Sequence, residues 1–396
     1  MVTALLFILV LSVLVVVHEF GHFITARKSG MRVYEFGLGF PPRACGIYKD
    51  PKTKKWVFVR VSKKNRDKKT QSNLANIVGG EEKEEEYPAT LYSLNWLPIG
   101  GFVKIKGENG EATNESDSFG FQKTWKKSIV LVAGVTMNFL LAAVLLGFGF
   151  LIGLPAEISD RIGKDAIIVE PARVLVQQLE NDSPAQQAGI QFGDVIVSIN
   201  NVAITSTEQM ISYVREHNTE QLAVVIEREK QQQTLSLTPT VVKEGEPARL
   251  GIVLAEAGVV RYPWYTAFFR GFYAAGISLV NIFISFYFLI KGLIVGQGLA
   301  FDVAGPVGIA SIVGQSAALG IHYFINVAAM ISLSLAAVNI LPIPALDGGR
   351  LLFIIIEKIF RRPVPLKYEQ AAHTIGFVLL LILIVVVTFR DIVHLF

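Results

Sequence analysis

The stretch LFILVLSVLVVVHEFGHF, residues 6–23, runs from apolar residues directly into two histidines and a glutamate. It belongs to the apolar segment Val2–Ala26, which is long enough to cross a bilayer because about 20 mostly apolar residues suffice. No basic residue precedes this segment and no small-residue cleavage site follows it. We therefore predict a membrane helix that is retained in the protein, not a removable signal peptide.

The motif within this helix is His18-Glu19-Phe20-Gly21-His22. Residues four apart lie on one face of a helix, so both imidazoles can bind one Zn²⁺, with Glu19 placed to take a proton from metal-bound water. Polar residues that simply face water at a helix end are the alternative. Ionisable groups inside a spanning segment are costly and usually functional, which favours the zinc site. A glycine at position 21 would let another helix or a substrate approach closely.

Two histidines leave a tetrahedral zinc short of one protein ligand, with water in the last position. Asp347 is the candidate, within NILPIPALDGG at residues 339–349. It lies at the end of a later apolar segment, where Pro342 and Pro344 interrupt the helix. Broken helices at membrane depth are tolerated where they line a wet or protein-filled cavity. The alternative is that Asp347 caps the next helix.

Composition indicates a membrane protein. Of 396 residues, 52% are hydrophobic and only 18% charged, whereas soluble domains are about a quarter charged. Cys45 is the single cysteine, so no intrachain disulfide can form. Further apolar stretches are Ser128–Leu154, Trp264–Val295, Tyr323–Leu341 and the shorter Ile375–Phe389.

Basic residues orient these segments, because short cytoplasmic loops collect Lys and Arg. They follow the first segment and precede the second, and they fill the loop before the last one. Both loops are thus predicted inside, so Trp264–Val295 crosses zero or two times. It is too short for two crossings. We expect it to lie against the outer membrane surface or beside the bundle.

The predicted fold is an α-helical polytopic membrane protein with about four transmembrane helices, a cytoplasmic-side β-hairpin or sheet and an extracytoplasmic α+β domain. The predicted boundaries are 1–27 for the first transmembrane helix, 28–123 for a cytoplasmic-side loop with membrane-associated strands and a charged insertion at 63–87, 124–155 for the second helix, 165–255 for the outer domain, 262–296 for a membrane-associated apolar helical region, 322–350 for the third helix ending in LDGG, and 372–393 for the fourth. The remaining histidines show no ligand spacing and are expected to be structural or on the surface: His217, His322, His373 and His394.

Over nearly its whole length the chain resembles the site-2 protease family of intramembrane zinc metalloproteases, specifically bacterial RseP-type members. The resemblance rests on His18-Glu19-x-x-His22 and on Asn339-x-x-Pro-x-Pro-x-Leu-Asp347-Gly. Gly134-x-x-x-Asn138 is a third, weaker match that helix packing alone would also explain. The resemblance implies His18, His22 and Asp347 as zinc ligands and Glu19 as catalytic base. It also suggests that Asn339 and Asn138 hold substrate or position the active site.

In such proteins the strands after the first helix form a hairpin that dips toward the membrane, and residues 97–104 resemble it. A transmembrane helix hides its peptide bonds in its own hydrogen bonds, so a protease must unwind it, and an exposed strand edge can bind the unwound stretch. The candidate substrate-binding residues are Gly100, Gly101 and Phe102. An ordinary small sheet with an edge in solvent is the alternative.

The outer region resembles a PDZ domain, on the match at residues 183–200. PDZ domains bind chain ends or extended peptides by strand addition. Only one such domain is visible, whereas the longest family members carry two in tandem.

These patterns predict a zinc-dependent intramembrane endopeptidase of the cytoplasmic (inner) membrane, cleaving transmembrane segments such as those of anti-sigma factors or remnant signal peptides. The expected partners are transmembrane protein substrates, a peptide or chain terminus at the PDZ groove, and the lipid bilayer, with no nucleic acid. Two alternatives stay open: a PDZ-containing membrane scaffold without activity, and a zinc transporter.

Overall fold

A computed structural model describes residues 2–60, 87–110, 112, 114–156, 165–180, 183–218, 220–228, 231–240, 248–295, 304–362 and 364–393. The predicted charged insertion at 63–87 therefore lies outside the described residues except for Tyr87, and so does His394. The chain divides into two compact units. The first comprises Met1–Ala143, Ala274–Gly314 and Ala328–Phe396, and the second comprises Val144–Tyr273 and Gln315–Val327.

The helices and strands alternate along the chain in blocks. In chain order they are α1 (Val2–Lys28), β1 (Val33–Lys49), β2 (Trp56–Arg60), β3 (Leu91–Ile105), α2 (Thr124–Ile152), β4 (Leu154–Ala156), β5 (Ile167–Leu179), α3 (Pro184–Gln187), β6 (Val195–Ile199), β7 (Val202–Ala203), α4 (Thr207–Glu216), β8 (Leu222–Arg228), β9 (Gln231–Leu237), β10 (Ile252–Arg261), α5 (Trp264–Val295), α6 (Pro306–Leu319), α7 (Ile321–Ile340), α8 (Asp347–Phe360) and α9 (Leu366–Val393).

Among the described residues, five helices are long and apolar enough to cross a membrane: α1, α2, α5, α7 and α9. They coincide with the five apolar stretches that the sequence singled out. The 262–296 region is one continuous helix, α5. The number of crossings stays a prediction, because length and composition alone do not decide it.

Two predicted helix boundaries are wrong. The third helix was expected to run through 322–350, but α7 ends at Ile340. Pro342 lacks the N–H that would continue the helix, so the chain turns and LDGG opens a new helix instead. The last helix begins at Leu366, earlier than the expected residue 372. Its first two turns are polar, so hydropathy did not count them as part of a membrane span.

The three strands after α1 form a small antiparallel sheet in the order β2-β1-β3. β1 and β3 each fold back on themselves, so Glu35 pairs with both Leu91 and Lys104. The turn in β3 reaches α1, where the Ser12 hydroxyl donates to the Pro98 carbonyl at 2.6 Å. Ser12 lies six residues before His18, which places this turn about 9 Å closer to the N-terminus of α1 than the histidine. The hairpin therefore lies beside the middle of an apolar helix.

The second unit contains a sheet in the order β4-β10-β5-β6-β8-β9, with β7 paired to β6. Its core is aliphatic, and α4 packs on it through Met210 and Val214. Ser183 caps α3, with Pro184 at the first helical position. The predicted end at residue 255 is too early, because β10 continues to Arg261 and pairs there with β4.

Candidate active site

The site lies wholly within the first unit and begins with the two histidines of α1. Both are buried, and their Nε2 atoms lie 3.1 Å apart. The helical spacing of four residues puts the two rings on one face, as the sequence predicts. Gly21, between them, faces α2: a Cβ at this position would lie 2.5 Å from the Ala133 carbonyl oxygen. The expectation that a small residue lets another helix approach is confirmed.

Asp347 completes the cluster from the first turn of α8. Its Oδ2 lies 2.9 Å from His18 Nε2 and 3.3 Å from His22 Nε2. The N-cap of α8 is Leu346, and the helix has no side-chain cap hydrogen bond. The alternative role of Asp347 as a helix cap is therefore not what its side chain does.

The turn before Asp347 is held in an unusual conformation. Ala345 has a left-handed backbone with φ of 78°, which is strained for a residue with a side chain. Its N–H donates to Nδ1 of His373 on α9 at 2.8 Å. Gly348 packs directly against the backbone carbonyls of Ile340 and Leu341, where a Cβ would overlap them. His373 thus has a structural role, in line with the sequence analysis.

The three ligand atoms fit a single zinc ion. Ligands at about 2.0–2.2 Å from a tetrahedral zinc lie about 3.3 Å from one another, close to the separations seen here. Two imidazole nitrogens and a carboxylate oxygen are ordinary zinc ligands, and among the described residues this is the group of His, Cys, Asp or Glu that could hold a metal. Three protein residues as donors would leave the fourth position of a tetrahedral zinc open, as in catalytic sites and unlike closed structural ones.

Glu19 and the β3 hairpin form one side of a cavity of about 240 Å³ next to the ligands. A Cβ on Gly101 would lie 3.8 Å from Cγ of Glu19, so the glycine strand passes close to the carboxylate. The cavity is lined by Glu19, His22, Phe102, Val103, Ile105, Glu108, Phe119, Val130, Leu131, Ala345, Leu346, Asp347 and Arg350. A mixed polar and apolar cavity beside a carboxylate can hold both water and a peptide segment.

Helix α2 backs both histidines. The Val130 carbonyl accepts a hydrogen bond from Nδ1 of His22 at 2.8 Å. The buried amide of Asn138 lies 3.4 Å from Nδ1 of His18. Gly134, between them, faces the rings so closely that a Cβ there would overlap Nε2 of His22 and lie 2.7 Å from Nε2 of His18. The sequence could not distinguish Gly134 from an ordinary packing glycine.

One ion pair at the rim of the cavity was missed by the sequence analysis. Arg350 Nη1 pairs with Glu108, which lies in the turn after β3. That turn is anchored by the buried Lys106, whose ammonium donates to Asp117 at 2.7 Å and to Glu115. These carboxylates raise the pKa of Lys106. Glu108 and Arg350 are 242 positions apart, and no local pattern pairs them.

Of the five predicted substrate-binding residues, Asn138 lies beside His18, and the other four fall into three places. Phe102 lines the cavity and Gly101 lies against Glu19. Gly100 has φ of 77° and faces the ring of Phe40. Asn339 lies half-buried in the last turn of α7 and is not among the residues that line the cavity.

The chain matches the model of peptidase family M50 over residues 6–59 and 80–383. The chain belongs to this family. The predicted membership in the site-2 type of zinc metalloprotease, the predicted hydrolase activity and the zinc requirement are thereby confirmed, and the enzyme is favoured over a scaffold or a transporter.

Several relatives are similar over their full length. The zinc metalloprotease RasP of Oceanobacillus iheyensis is 30% identical over 446 aligned positions, covering 100% of both chains. The regulator of sigma-W protease RasP of Bacillus subtilis is 28% identical, covering 100% of this chain and 99% of that one. A putative zinc metalloprotease of Vibrio cholerae is 26% identical, covering 97% of each. Among solved structures, the PDZ domain of the SdrC-like protein of Listeria monocytogenes is 19% identical with a TM-score of 0.20, covering 24% of this chain and 92% of that domain.

Replacing Gly134 by alanine should reduce zinc binding at least about tenfold, because the added methyl group occupies the space of the ligand nitrogens and such a site tolerates little displacement. The measurement is zinc per polypeptide of the purified protein after equilibration with a chelator. Gly276→Ala in α5 is the matched control, since a Cβ there meets nothing within 4 Å. Full zinc content in Gly134→Ala would contradict the close approach of α2.

Proposed function

We propose that this chain hydrolyses peptide bonds within membrane-spanning segments of other proteins, with His18, His22 and Asp347 as zinc ligands and Glu19 as general base. The observation that carries the proposal is the convergence of three ligand atoms within 3.3 Å of one another beside a second carboxylate, Glu19, in an apolar helix. Ionisable side chains inside a membrane helix are costly in free energy, and a functional site explains why they are kept there.

Bound zinc supplies a polarised carbonyl and a water of lowered pKa. The protein's own residues do the rest. Glu19 faces the cavity next to the ligands, where its carboxylate can accept a proton from water and return it to the leaving amine. The helices around the site exclude lipid, which confines water to the cavity. No covalent intermediate with the chain is needed.

The hairpin of β3 supports substrate binding as an added strand. Residues 100–105 pair with β1 along one edge, and among the described strands none pairs with their other edge, next to Glu19. An unwound peptide placed there would gain main-chain hydrogen bonds. Phe102 would contact its side chains, and Asn339 would hold the chain from α7. The name of the Bacillus subtilis relative makes the transmembrane segment of an anti-sigma factor the first substrate to try.

The test is cleavage of a single-span substrate, already shortened on its outer side, by detergent-purified protein. Wild type should contain about one zinc and cut within the span. Glu19→Gln should keep the zinc and lose activity by at least about 10²-fold, as expected for loss of a general base. Asp347→Ala should lose both, because a ligand is gone.

Asn339→Ala serves as a comparison in the same assay. It should keep zinc and raise KM, since it is proposed to hold substrate. Cleavage that persists in Glu19→Gln would mean a different active site. Absence of both zinc and cleavage in folded wild type would shift the function to a scaffold.

We further propose that the sheet of the second unit is a PDZ domain whose groove binds a chain terminus. A groove of about 340 Å³ lies between α4 and β10 and is lined by Glu180, Met210, Ile211, Val214, Arg215, Ala248, Arg249, Leu250, Gly251, Ile252 and Leu254. β10 pairs with β5 along one edge, and β4 covers its other edge only at Gly258–Val260. Among the described residues, the edge at Ile252–Ala257 is open for an added strand.

Ile211→Glu should weaken this groove without unfolding the domain, because Ile211 is 44% exposed. The new carboxylate repels the terminal carboxylate of a bound peptide and removes an apolar contact. KM for a shortened substrate with an apolar C-terminus should rise about tenfold, the equivalent of about 1.4 kcal/mol, with kcat unchanged. Ser212→Glu adds the same charge outside the groove and should change KM less than about twofold. Equal KM values for the two variants would argue against peptide binding in this groove.

We also propose that the second unit's PDZ-like domain faces the outside of the inner membrane and that α5 does not cross it. The start of α6 lies at the end of the bundle that carries the N-terminus of α1: Gly305 and Gly308 donate to Asp391, and Gly314 contacts Thr3. The basic loops place that end outside. Nine residues separate Val295 from Gly305, so the ten Cα–Cα steps between them reach at most about 36 Å when fully extended. A return through lipid by so short a segment would leave backbone groups unpaired.

Cysteine labelling in right-side-out and inverted vesicles tests this orientation. In a Cys45→Ser background, Ile294→Cys should react with an impermeant reagent from the outer side, since its position is 80% exposed at the end of α5. Phe360→Cys, 70% exposed between α8 and α9, should react from the cytoplasmic side. Reaction of Ile294→Cys only from the cytoplasmic side would show that α5 crosses.

A further inference from the structure

Asn138 is the most deeply buried polar side chain next to the proposed zinc ligands. It is 1% exposed. Its Nδ2 lies 3.4 Å from Nδ1 of His18, which is long for a hydrogen bond. Its Oδ1 is buried and has no hydrogen-bond partner among the described residues. A buried amide oxygen without a partner is costly and calls for an explanation.

The neighbouring histidine shows what the site requires. Nδ1 of His22 lies 2.8 Å from the Val130 carbonyl. A carbonyl can only accept, so this Nδ1 carries the proton and Nε2 presents its lone pair to the cluster. Ring orientation of this kind is how metal-binding histidines are usually fixed.

For His18, the same requirement means that the oxygen of the Asn138 amide, and not its NH₂ group, faces Nδ1. Nε2 of His18 lies 2.9 Å from Asp347 and 3.1 Å from Nε2 of His22, so it is the ligand nitrogen and Nδ1 must carry the proton. An Nδ1–H facing an amide NH₂ would be two donors in contact. Turning the amide by 180° about its last bond exchanges two groups of nearly equal shape. Oδ1 then accepts from Nδ1–H and gains a partner, and the NH₂ group takes the buried side where the oxygen had none.

We propose that Asn138 is a positioning residue whose Oδ1 accepts the Nδ1–H of His18 and fixes Nε2 toward the metal. This inference rests on the proposed zinc site. Asn138 then supports a zinc ligand and does not contact substrate. Its burial also disfavours contact with substrate. Three positions on one face of α2, spaced by four residues, then act together. Val130 orients His22, Gly134 leaves room for both rings, and Asn138 orients His18.

A hydrogen bond from α7 holds the backbone of Asn138 in place. Its backbone carbonyl accepts from the Ser332 hydroxyl on α7 at 2.8 Å. Ser332 is fully buried, so α7 and α2 are held together at the level of this amide. Because Asn138 cannot easily shift away, a change of its side-chain chemistry acts directly on the His18 ring.

Two nearly isosteric variants separate hydrogen bonding from packing. Asn138→Asp offers only acceptors, so it should keep zinc affinity within about threefold of wild type. Asn138→Leu has the same branched shape but no acceptor, and zinc affinity should fall about 10- to 100-fold, as for loss of other outer-shell partners. Affinity is measured by competition with a chelator of known zinc affinity, together with the visible spectrum of the cobalt-substituted protein, which reports ligand geometry. Thr136→Ala is the control, since Thr136 is exposed on the same helix and bonds only the Val132 carbonyl.

Kinetics at saturating zinc add a second readout. Asn138→Leu should lower kcat with KM unchanged, because substrate contacts are intact. Unchanged zinc affinity with a raised KM would overturn the proposal in favour of substrate binding. Asn138→Asp as weak as Asn138→Leu would overturn it in favour of a donating amide. Wild type that neither binds zinc nor cleaves would overturn the proposed function as well, whereas an active wild type with a normal Asn138→Leu would overturn this inference alone.

Discussion

The structure depends on the requirement that two imidazoles on one turn of an apolar helix find an anionic partner. Polar groups in a spanning helix are stable only when they are paired or face protein or water. Here the partner is Asp347, which lies 329 positions away. The break after α7, the strained Ala345 and the glycines of LDGG all serve to bring that carboxylate to the histidines. The apolar helices around the cluster keep the three ligand atoms in a low-dielectric setting, where their attraction for a cation is strong.

A second constraint is the geometry of α2. α2 contacts both imidazole rings through positions four residues apart. The Val130 carbonyl accepts a hydrogen bond from His22, Gly134 leaves room for the two rings, and Asn138 lies beside His18. Gly21 on α1 and Gly134 on α2 remove the side chains that would separate the helices. Small residues at such contacts are common in membrane helices because close packing replaces the hydrophobic effect there. The candidate zinc site therefore coincides with the packing contact between α1 and α2.

The β3 hairpin lies on the other side of the site. It reaches along α1 to Ser12, and its Gly101 lies next to Glu19. Non-helical backbone at this depth is tolerated only against protein or a wet cavity, and the cavity beside Asp347 provides one. The Arg350–Glu108 ion pair joins the turn after this hairpin to α8, the helix that begins with Asp347.

The sequence by itself determined the membrane character, the apolar helices and the two-histidine face, because hydropathy and the spacing of residues on one element are local properties. It named Asp347 as a candidate but left it open as a helix cap. Only the tertiary structure decided that its carboxylate turns to the histidines, that LDGG opens a helix, that Gly134 makes room for two rings, and that Glu108 pairs with Arg350. Those features depend on distances between helices, which no periodicity in a single sequence specifies.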